Sequence, residues 1–316
     1  MFERSLYGPE TFNNDSEIVD VDFWAERMIA YPSFRPLYLD KAVTICVDYC
    51  LNQEFRRVLL GHIFICPVLI YRLFKRGIYS FNEIEPYLNR EDSFILCCYY
   101  RKMLNCFEDF VLNKKTPRGF DDSVLDNDNE VDLLIEYGFL PNTVEFCLKY
   151  DDIEVFRDLI INKMTIINWN PFEWSKKPEY QDLLSFSGFF GSIKCFKYLV
   201  LNGYHINKQV CSMVLCSGNQ DLLHICNTET TYLSDYAHFA SKFCHLSLLG
   251  FFVENDKSIL KRNDQITKQA VSFGHISIVE YIDNQGIDVN SIVSNNESSY
   301  FPKLLFTKQL LITIYW

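Results

Sequence analysis

The sequence predicts an all-α protein, a solenoid of helix-turn-helix pairs that follows a helical N-terminal region. Residues 191–207 recur in recognisable form as residues 274–290, and the two copies agree at five positions. In each copy, apolar residues follow the first glycine at offsets 2, 4, 5, 7 and 8, which form one stripe along a helix. Weaker copies of the stripe follow Gly218 and Cys244, so successive stripes begin 26 to 30 residues apart. Self-similarity at about 20–50 residues is typical of solenoids.

The first 112 residues fall into two parts. Residues 1–20 are polar and acidic and are predicted to form a loose arm, whereas residues 21–112 carry a helical pattern of apolar residues nearly throughout. Prolines interrupt this helical N-terminal region, because proline ends or kinks a helix. The prolines are Pro32, Pro36, Pro67 and Pro86.

Residues 113–132 are predicted to be an acidic, solvated linker, since they combine lysines, proline and glycine with six carboxylates. The stretch from Asp126 begins like an EF-hand calcium loop, in which oxygens occupy alternate positions. The pattern then fails, because Val131 stands where the turn needs glycine and Tyr137 stands where a bidentate glutamate is needed. The linker interpretation is therefore favoured.

Four helix ends share one device, a glycine followed by an apolar residue. Glycine accepts the left-handed conformation just past a helix, and the next side chain packs back on the last turn. The device predicts helix pairs well before the clear repeats begin. The four glycines are Gly77, Gly138, Gly203 and Gly286.

Residues 133–290 are assigned to the repeats, interrupted by an aromatic insertion at 162–180. The insertion is predicted to be an ordered loop rather than a flexible one, because it holds Trp169, Phe172 and Trp174 together with two prolines. Residues 291–316 match no repeat and are predicted to form an atypical tail.

Within the repeats, two stretches resemble ankyrin units. The closer one begins with Gly274-His275, continues with Ile278-Val279 and ends with Gly286-Ile-Asp-Val-Asn290, which is similar to the later half of an ankyrin unit. The Thr-Pro-Leu-His start of such units occurs nowhere, and the slots for two alanines hold Ser187 and Gly188 in one unit. The resemblance implies that histidine at the inter-helix turn bonds the turn backbone.

A longer region, about residues 67–252, resembles a divergent ankyrin-type family that is expanded in some protists and carries a domain of unknown function. Members usually continue into regular ankyrin repeats. The resemblance implies a macromolecule-binding scaffold and supplies no catalytic residues. Its phrases are Cys66-Pro-Val-Leu-Ile-Tyr71, Phe81-Asn-Glu-Ile-Glu-Pro86, Leu133 to Pro141, Cys147 to Asp152 and Ser187 to Tyr198.

Composition limits the partners. The chain has 30 basic and 41 acidic residues and a net charge of −11, which opposes binding to nucleic acid or to an anionic membrane. The longest apolar run, 58–71, is shorter than the roughly 18 residues that a membrane span needs. The 12 cysteines lie in apolar helical runs rather than in a disulfide framework, and no signal peptide is visible, so we expect a cytoplasmic protein.

Candidate chemistry is sparse. Cys211, Cys216, His224 and Cys226 suggest a zinc site, but their spacing is wrong and the cysteines fall on the apolar stripe. A catalytic pair at Cys244-His245 is disfavoured, because the pair lies at a turn. Phosphate-binding and hydrolase motifs are absent from the sequence. We therefore expect no catalytic residue, no metal and no cofactor.

The expected function is a non-catalytic scaffold that binds another protein and is itself monomeric. The alternatives are a truncated product of a longer ankyrin protein and an enzyme with a dispersed site in the N-terminal helices. Partner contacts are predicted at the turns that enter each first helix, and the aromatic loop either supplies buried anchors or only caps a repeat. The predicted contact residues are Asn207, Lys208, Gln209, Asp235, Tyr236, Asn263, Asp264, Gln265, Trp169 and Trp174.

Overall fold

A computed structural model describes most of the chain, and every regular element in the described part is a helix. The all-α prediction is therefore confirmed for this part. No helix among the described residues is both long and apolar enough to cross a membrane. The structure describes residues 39–104, 107–111, 114–117, 125–160, 169–174, 182–229, 237–272 and 275–289, together with Val21, Ala25, Met28, Ile29, Pro32 and Ile167.

The chain divides into two compact units. The N-terminal unit comprises Asp20–Phe146 and Asn168–Lys177, and the C-terminal unit comprises Met1–Val19, Cys147–Ile167 and Pro178–Trp316. The division after Phe146 lies beyond residue 132, where the sequence suggested that the linker gives way to repeats. Residues 169–174 of the aromatic insertion group with the N-terminal unit, whereas Ile167 groups with the C-terminal unit.

Helices of the N-terminal unit surround one buried helix. In this helix, α5, all residues except Ile95 are buried, because it is apolar on every side. Helices α3, α4 and α6 contact it, and α1 contacts α3. The helices are α1 (Leu39–Tyr49), α2 (Gln53–Gly61), α3 (Pro67–Lys75), α4 (Phe81–Leu88), α5 (Phe94–Tyr100), α6 (Phe107–Val111) and α7 (Asp128–Tyr137).

Local capping explains where these helices begin. Pro67 occupies the first turn of α3, where its missing N–H costs nothing. Ser80 and Glu83 form a capping box at α4, in which the Ser80 backbone N–H donates to the Glu83 carboxylate at 2.8 Å. At α7, the side chain of Asn127 accepts from the first-turn N–H groups.

The start of α7 corrects the predicted linker. The helix begins at Asp128, so residues 128–132 are helical rather than a solvated connection. The physical reason is that a helix N-terminus favours carboxylates, and Asp128 and Glu130 lie in the first turn of α7. Asp132 also pairs with Arg101 at 2.8 Å, which fixes the helix against the end of α5.

The C-terminal unit consists of helix pairs in series. The first helices α10, α12, α14 and α17 contact one another in that order, and the second helices α9, α11 and α13 do the same. A short helix, α16, precedes α17 and was not anticipated. The helices are α8 (Val144–Tyr150), which spans the unit boundary, α9 (Ile153–Ile160), α10 (Leu183–Phe190), α11 (Ile193–Leu201), α12 (Lys208–Ser217), α13 (Gln220–Glu229), α14 (Ala237–Lys242), α15 (Leu246–Asn255), α16 (Ile259–Arg262), α17 (Asp264–Ser272) and α18 (Ile276–Asn284).

The closest approach lies between α10 and α12. All eight residues of α10 are buried. A Cβ atom added at Gly188 would lie 2.9 Å from Val214 Cγ2, so the glycine lets the two helices meet. The small residues Ser187 and Gly188 thus serve the close packing that the alanine slots suggested.

The predicted helix-end glycines are confirmed. At α11, the Tyr204 N–H donates to the Leu199 carbonyl and the Gly203 N–H donates to the Val200 carbonyl, both at 3.1 Å. These bonds satisfy carbonyls that have no partner within the helix. All four glycines adopt positive φ: Gly77 at 74°, Gly138 at 82°, Gly203 at 88° and Gly286 at 78°.

Candidate functional site

The first group of predicted contact residues lies at the start of α12, where Asn207 precedes the helix and Lys208 and Gln209 are its first two residues. Asn207, Lys208 and Gln209 are all exposed. The Asn207 side-chain oxygen accepts a hydrogen bond from the Val210 N–H at 3.0 Å, so Asn207 caps α12. One member of the group therefore has a structural duty, and Lys208 and Gln209 present their side chains to solvent.

A second group lies at the start of α17, where Asn263 follows α16 and Asp264 and Gln265 are the first two residues of α17. Asp264 and Gln265 are exposed, and Asn263 is half-buried. The Asp264 carboxylate pairs with Lys268 one turn further along α17. Both described groups thus lead into first helices, as the repeat register predicts. The intervening group, Asp235 and Tyr236, lies outside the described residues.

The aromatic loop belongs to the other unit. Trp169 and Trp174 are half-buried, and the Trp169 ring lies edge-on to Phe139, with ring centres 5.9 Å apart. Phe172 is buried beside Tyr99, with ring centres 5.8 Å apart. Residues 169–174 of the loop are therefore held by packing within the N-terminal unit. The structure groups it with the N-terminal helices rather than with the turns of the C-terminal unit.

Neighbouring helix pairs of the C-terminal unit are joined by a ladder of side-chain hydrogen bonds. In each step, the residue just before a second helix donates to a backbone carbonyl at the end of the preceding first helix. These carbonyls have no partner inside their own helix, so the ladder satisfies them from the next pair. The donors and acceptors are Ser192 to Leu148, Asn219 to Gly191 at 3.2 Å, His245 to Cys216 at 2.8 Å and His275 to Lys242 at 2.9 Å.

Each of these first helices ends in a residue with positive φ where the structure describes it. The residues are Asp151 at 57°, Gly191 at 76°, Gly218 at 66° and Cys244 at 57°. Asp151 adds a second connection, because its carboxylate accepts from the Lys194 N–H at 2.9 Å and from the Cys195 N–H at 3.0 Å. It therefore caps α11 of the following pair with a negative charge.

Both acidic residues of this turn cap helices. Asp152 accepts from the Val155 N–H at 3.3 Å at the start of α9, while Asp151 caps α11. The two carboxylates therefore serve different helices, and neither is positioned for general acid-base chemistry with the other.

A groove of about 400 Å³ lies between the second helices α13 and α15 of the C-terminal unit. Leu223 and Phe252 are buried at its floor. Ser247 and Phe251 are exposed at its rim, and the Phe251 side chain is 49% exposed. Gly218, Gln220, His224 and Leu248 complete the lining. Sequence reasoning missed this groove, because it needs two second helices placed side by side.

The N-terminal unit has its own pocket of about 370 Å³ at the start of α3. Its lining includes Cys66, Tyr99 and Glu173. Burial raises the pKa of the Cys66 thiol to about 12. Burial also raises the pKa of the Tyr99 phenol well above its ordinary value. Both groups are therefore neutral at physiological pH.

The four residues that suggested a zinc site do not form a metal-binding cluster. Cys211, Cys216 and Cys226 are buried in the helical core, whereas His224 is exposed in the groove. No group of three or more His, Cys, Asp or Glu side chains within the described part of the chain is arranged to hold a metal ion.

Comparison with protein-family models, with curated proteins and with solved structures finds no match to this chain. Inferences about its function therefore depend on its own residues.

Proposed function

We propose that this protein is a non-catalytic scaffold that binds another protein through stacked, ankyrin-type helix pairs. The observation that carries the proposal is the ladder of hydrogen bonds between successive turns. Such a ladder holds equivalent positions of neighbouring pairs in register, and stacked repeats in register present an extended surface of the kind that binds macromolecules. The bonding of His245 and His275 to the turn backbone supports the ankyrin-type assignment.

The chemistry of the N-terminal pocket supports a non-catalytic role. A cysteine nucleophile needs a lowered pKa, since the thiolate is the reactive form. Burial shifts the Cys66 pKa in the opposite direction. A tyrosine that acts as a base must first lose its own proton, and burial raises the pKa of the Tyr99 phenol, so the proton is retained. These groups pack the pocket in their neutral forms.

The exposed turns before first helices are the proposed contact surface. They are polar, and the described residues of both groups are exposed except Asn263, which is half-buried. Charged groups at the rim of an interface act mainly on association rate and partner selection. We therefore expect reversal of their charge to change binding more than folding.

Affinity capture from the native cell tests this proposal. The full chain is compared with a variant that carries Asp235→Lys and Asp264→Lys, and captured proteins are quantified by mass spectrometry. We expect the variant to lose the main partner while its melting temperature stays close to that of the wild type. Glu85→Lys, an exposed change on α4, is the matched control. An unchanged partner set in the double variant refutes the turn surface, and loss of the partner in the control moves the interface to the N-terminal helices.

A further inference from the structure

The second helices α13, α15 and α18 form the acidic part of the C-terminal unit. Their sequences contain no lysine or arginine. Asp221, Glu254 and Asp283 are exposed on them, one on each helix. The preceding second helix, α11, instead carries Lys194 and Lys197. The sign of the charge therefore changes along the row of second helices, and the groove lies in its acidic part.

The groove itself is apolar at the base. Leu223 of α13 and Phe252 of α15 are buried, and the Phe251 ring contacts Phe252, with ring centres 5.7 Å apart. The rim is formed by exposed side chains, so the groove opens to solvent. Its volume of about 400 Å³ lies at the small end of the roughly 300–1,000 Å³ typical of ligand pockets. That size suits one large side chain or two smaller ones.

Side chains of neighbouring helices pack on both sides of the groove. The ring of His245 occupies the space beside Gly218, where a Cβ atom would overlap it. On the far side, the Tyr281 hydroxyl of α18 lies 3.9 Å from the position of a Cβ atom added at Gly250, which is ordinary van der Waals contact between α18 and α15. Burial raises the pKa of the Tyr281 phenol, and the charge of the Glu254 carboxylate raises it further. Residues of the neighbouring helices therefore pack against both sides of the groove.

We propose that this groove docks a basic segment of a partner protein. A large apolar side chain of the segment enters between Leu223 and Phe252, and lysines or arginines on either side of it face Asp221 and Glu254. The charge complementarity argues for this occupant, since the two helices that border the groove carry exposed carboxylates and no lysine or arginine, which favours a cationic segment over an acidic one. The proposal rests on the proposed function and adds the chemistry of the partner.

Selection from a library of random peptides displayed on phage, with the purified full chain as target, tests the proposal. We expect recovered peptides to carry a large apolar residue flanked by lysine or arginine. Affinities of the recovered peptides are then measured by fluorescence anisotropy. Phe251→Ser is expected to weaken binding about tenfold or more, which is the size of effect expected for loss of a central anchor contact.

Two further variants complete the design. Asp221→Lys combined with Glu254→Lys is expected to weaken binding and to flatten its dependence on salt, because the attraction is electrostatic. Leu201→Ser is the matched control, since Leu201 is an exposed apolar residue of α11 that does not line the groove. Its affinity is expected to equal that of the wild type. Circular dichroism confirms that each variant is folded.

Several results overturn the proposal: no enriched peptide, enriched peptides without basic residues, or equal affinity of Phe251→Ser and the wild type. Light scattering addresses a different occupant, because a dimer that dissociates on Phe251→Ser assigns the groove to a second copy of this chain. If the groove variants bind normally while the turn variant loses its captured partner, the groove proposal fails and the proposed function stands.

Discussion

The contact between Gly218 and His245 gives a quantitative test of the ladder. In Gly218→Ala, the added methyl group overlaps the His245 imidazole, and the residue must keep a φ of 66°. The left-handed conformation costs about 1–2 kcal/mol for a residue with a Cβ atom. Displacement of the ring breaks the bond from His245 Nε2 to the Cys216 carbonyl and leaves a buried acceptor, at a cost of about 1–3 kcal/mol. We expect a total loss of about 3 kcal/mol in the free energy of unfolding.

Two comparisons separate these contributions. Gly203→Ala is a matched control, because Gly203 has a φ of 88° but no atom lies within 4 Å of an added Cβ. It should cost only the backbone strain of about 1–2 kcal/mol. In a His245→Ala background, Gly218→Ala should likewise cost only that strain, since the overlapping ring is gone. The double-mutant cycle should therefore show a coupling of about 1–3 kcal/mol between the two residues.

Urea denaturation followed by far-ultraviolet circular dichroism is the assay, fitted with one transition for each unit where two are resolved. Equal destabilisation by Gly218→Ala and Gly203→Ala refutes the reasoning, because it shows that the imidazole is not held against the turn. A coupling near zero has the same meaning.

Three other predictions concern the cap, the thiols and metal. Asp151→Ala should lower the free energy of unfolding by about 1–2 kcal/mol. Asp151→Asn should lower it less, because the amide oxygen still accepts the hydrogen bonds. Chemical denaturation measures both losses, and similar values refute the cap. Burial raises the thiol pKa of Cys50 to about 11 and of Cys66 to about 12, from an ordinary value near 9. The unfolded thiols ionise first, so stability should be full below about pH 9 and fall as the pH rises toward 12, and a flat melting temperature across that window would contradict the burial. Purified protein should contain no stoichiometric zinc by elemental analysis, and a melting temperature lowered by a chelator would reverse that expectation.

The parts of the fold that follow local rules could be predicted from the sequence. The position just past a helix often has positive φ, where residues with a Cβ atom are strained and glycine is favoured. The glycines at the ends of the apolar stripes, Gly77, Gly138, Gly203 and Gly286, adopt this conformation. The first-helix ends at Asp151 and Cys244 adopt the same conformation without glycine. A glycine-based rule misses them; at Asp151, the side chain also caps α11 of the next pair.

Contacts that join distant segments could not be predicted. Ser192 and Asn219 look like ordinary turn residues, and their ladder partners lie 44 and 28 positions earlier. Of the aromatic insertion, the structure describes Ile167 and residues 169–174, and Phe172 packs beside Tyr99 in the N-terminal unit. The spacing of residues along the sequence reports the pattern within one helix. It does not report which distant helices come into contact, so such partners are identified only from the folded chain.

The ladder also bears on how exposed apolar residues are interpreted. Stacking uses the buried stripe of each helix and the polar side chains of each turn, so residues outside both sets are not constrained by it. Leu201, at 86% exposure, is such a residue, and a single exposed leucine carries no inference, because folded proteins commonly expose apolar side chains. Phe251 differs, since it borders a groove whose floor is apolar and whose surrounding helices carry carboxylates without basic residues. In α15, Leu249, Phe252 and Val253 already supply the buried stripe. Phe251 lies outside that stripe and is 49% exposed, so Phe251→Ser is expected to change binding more than folding.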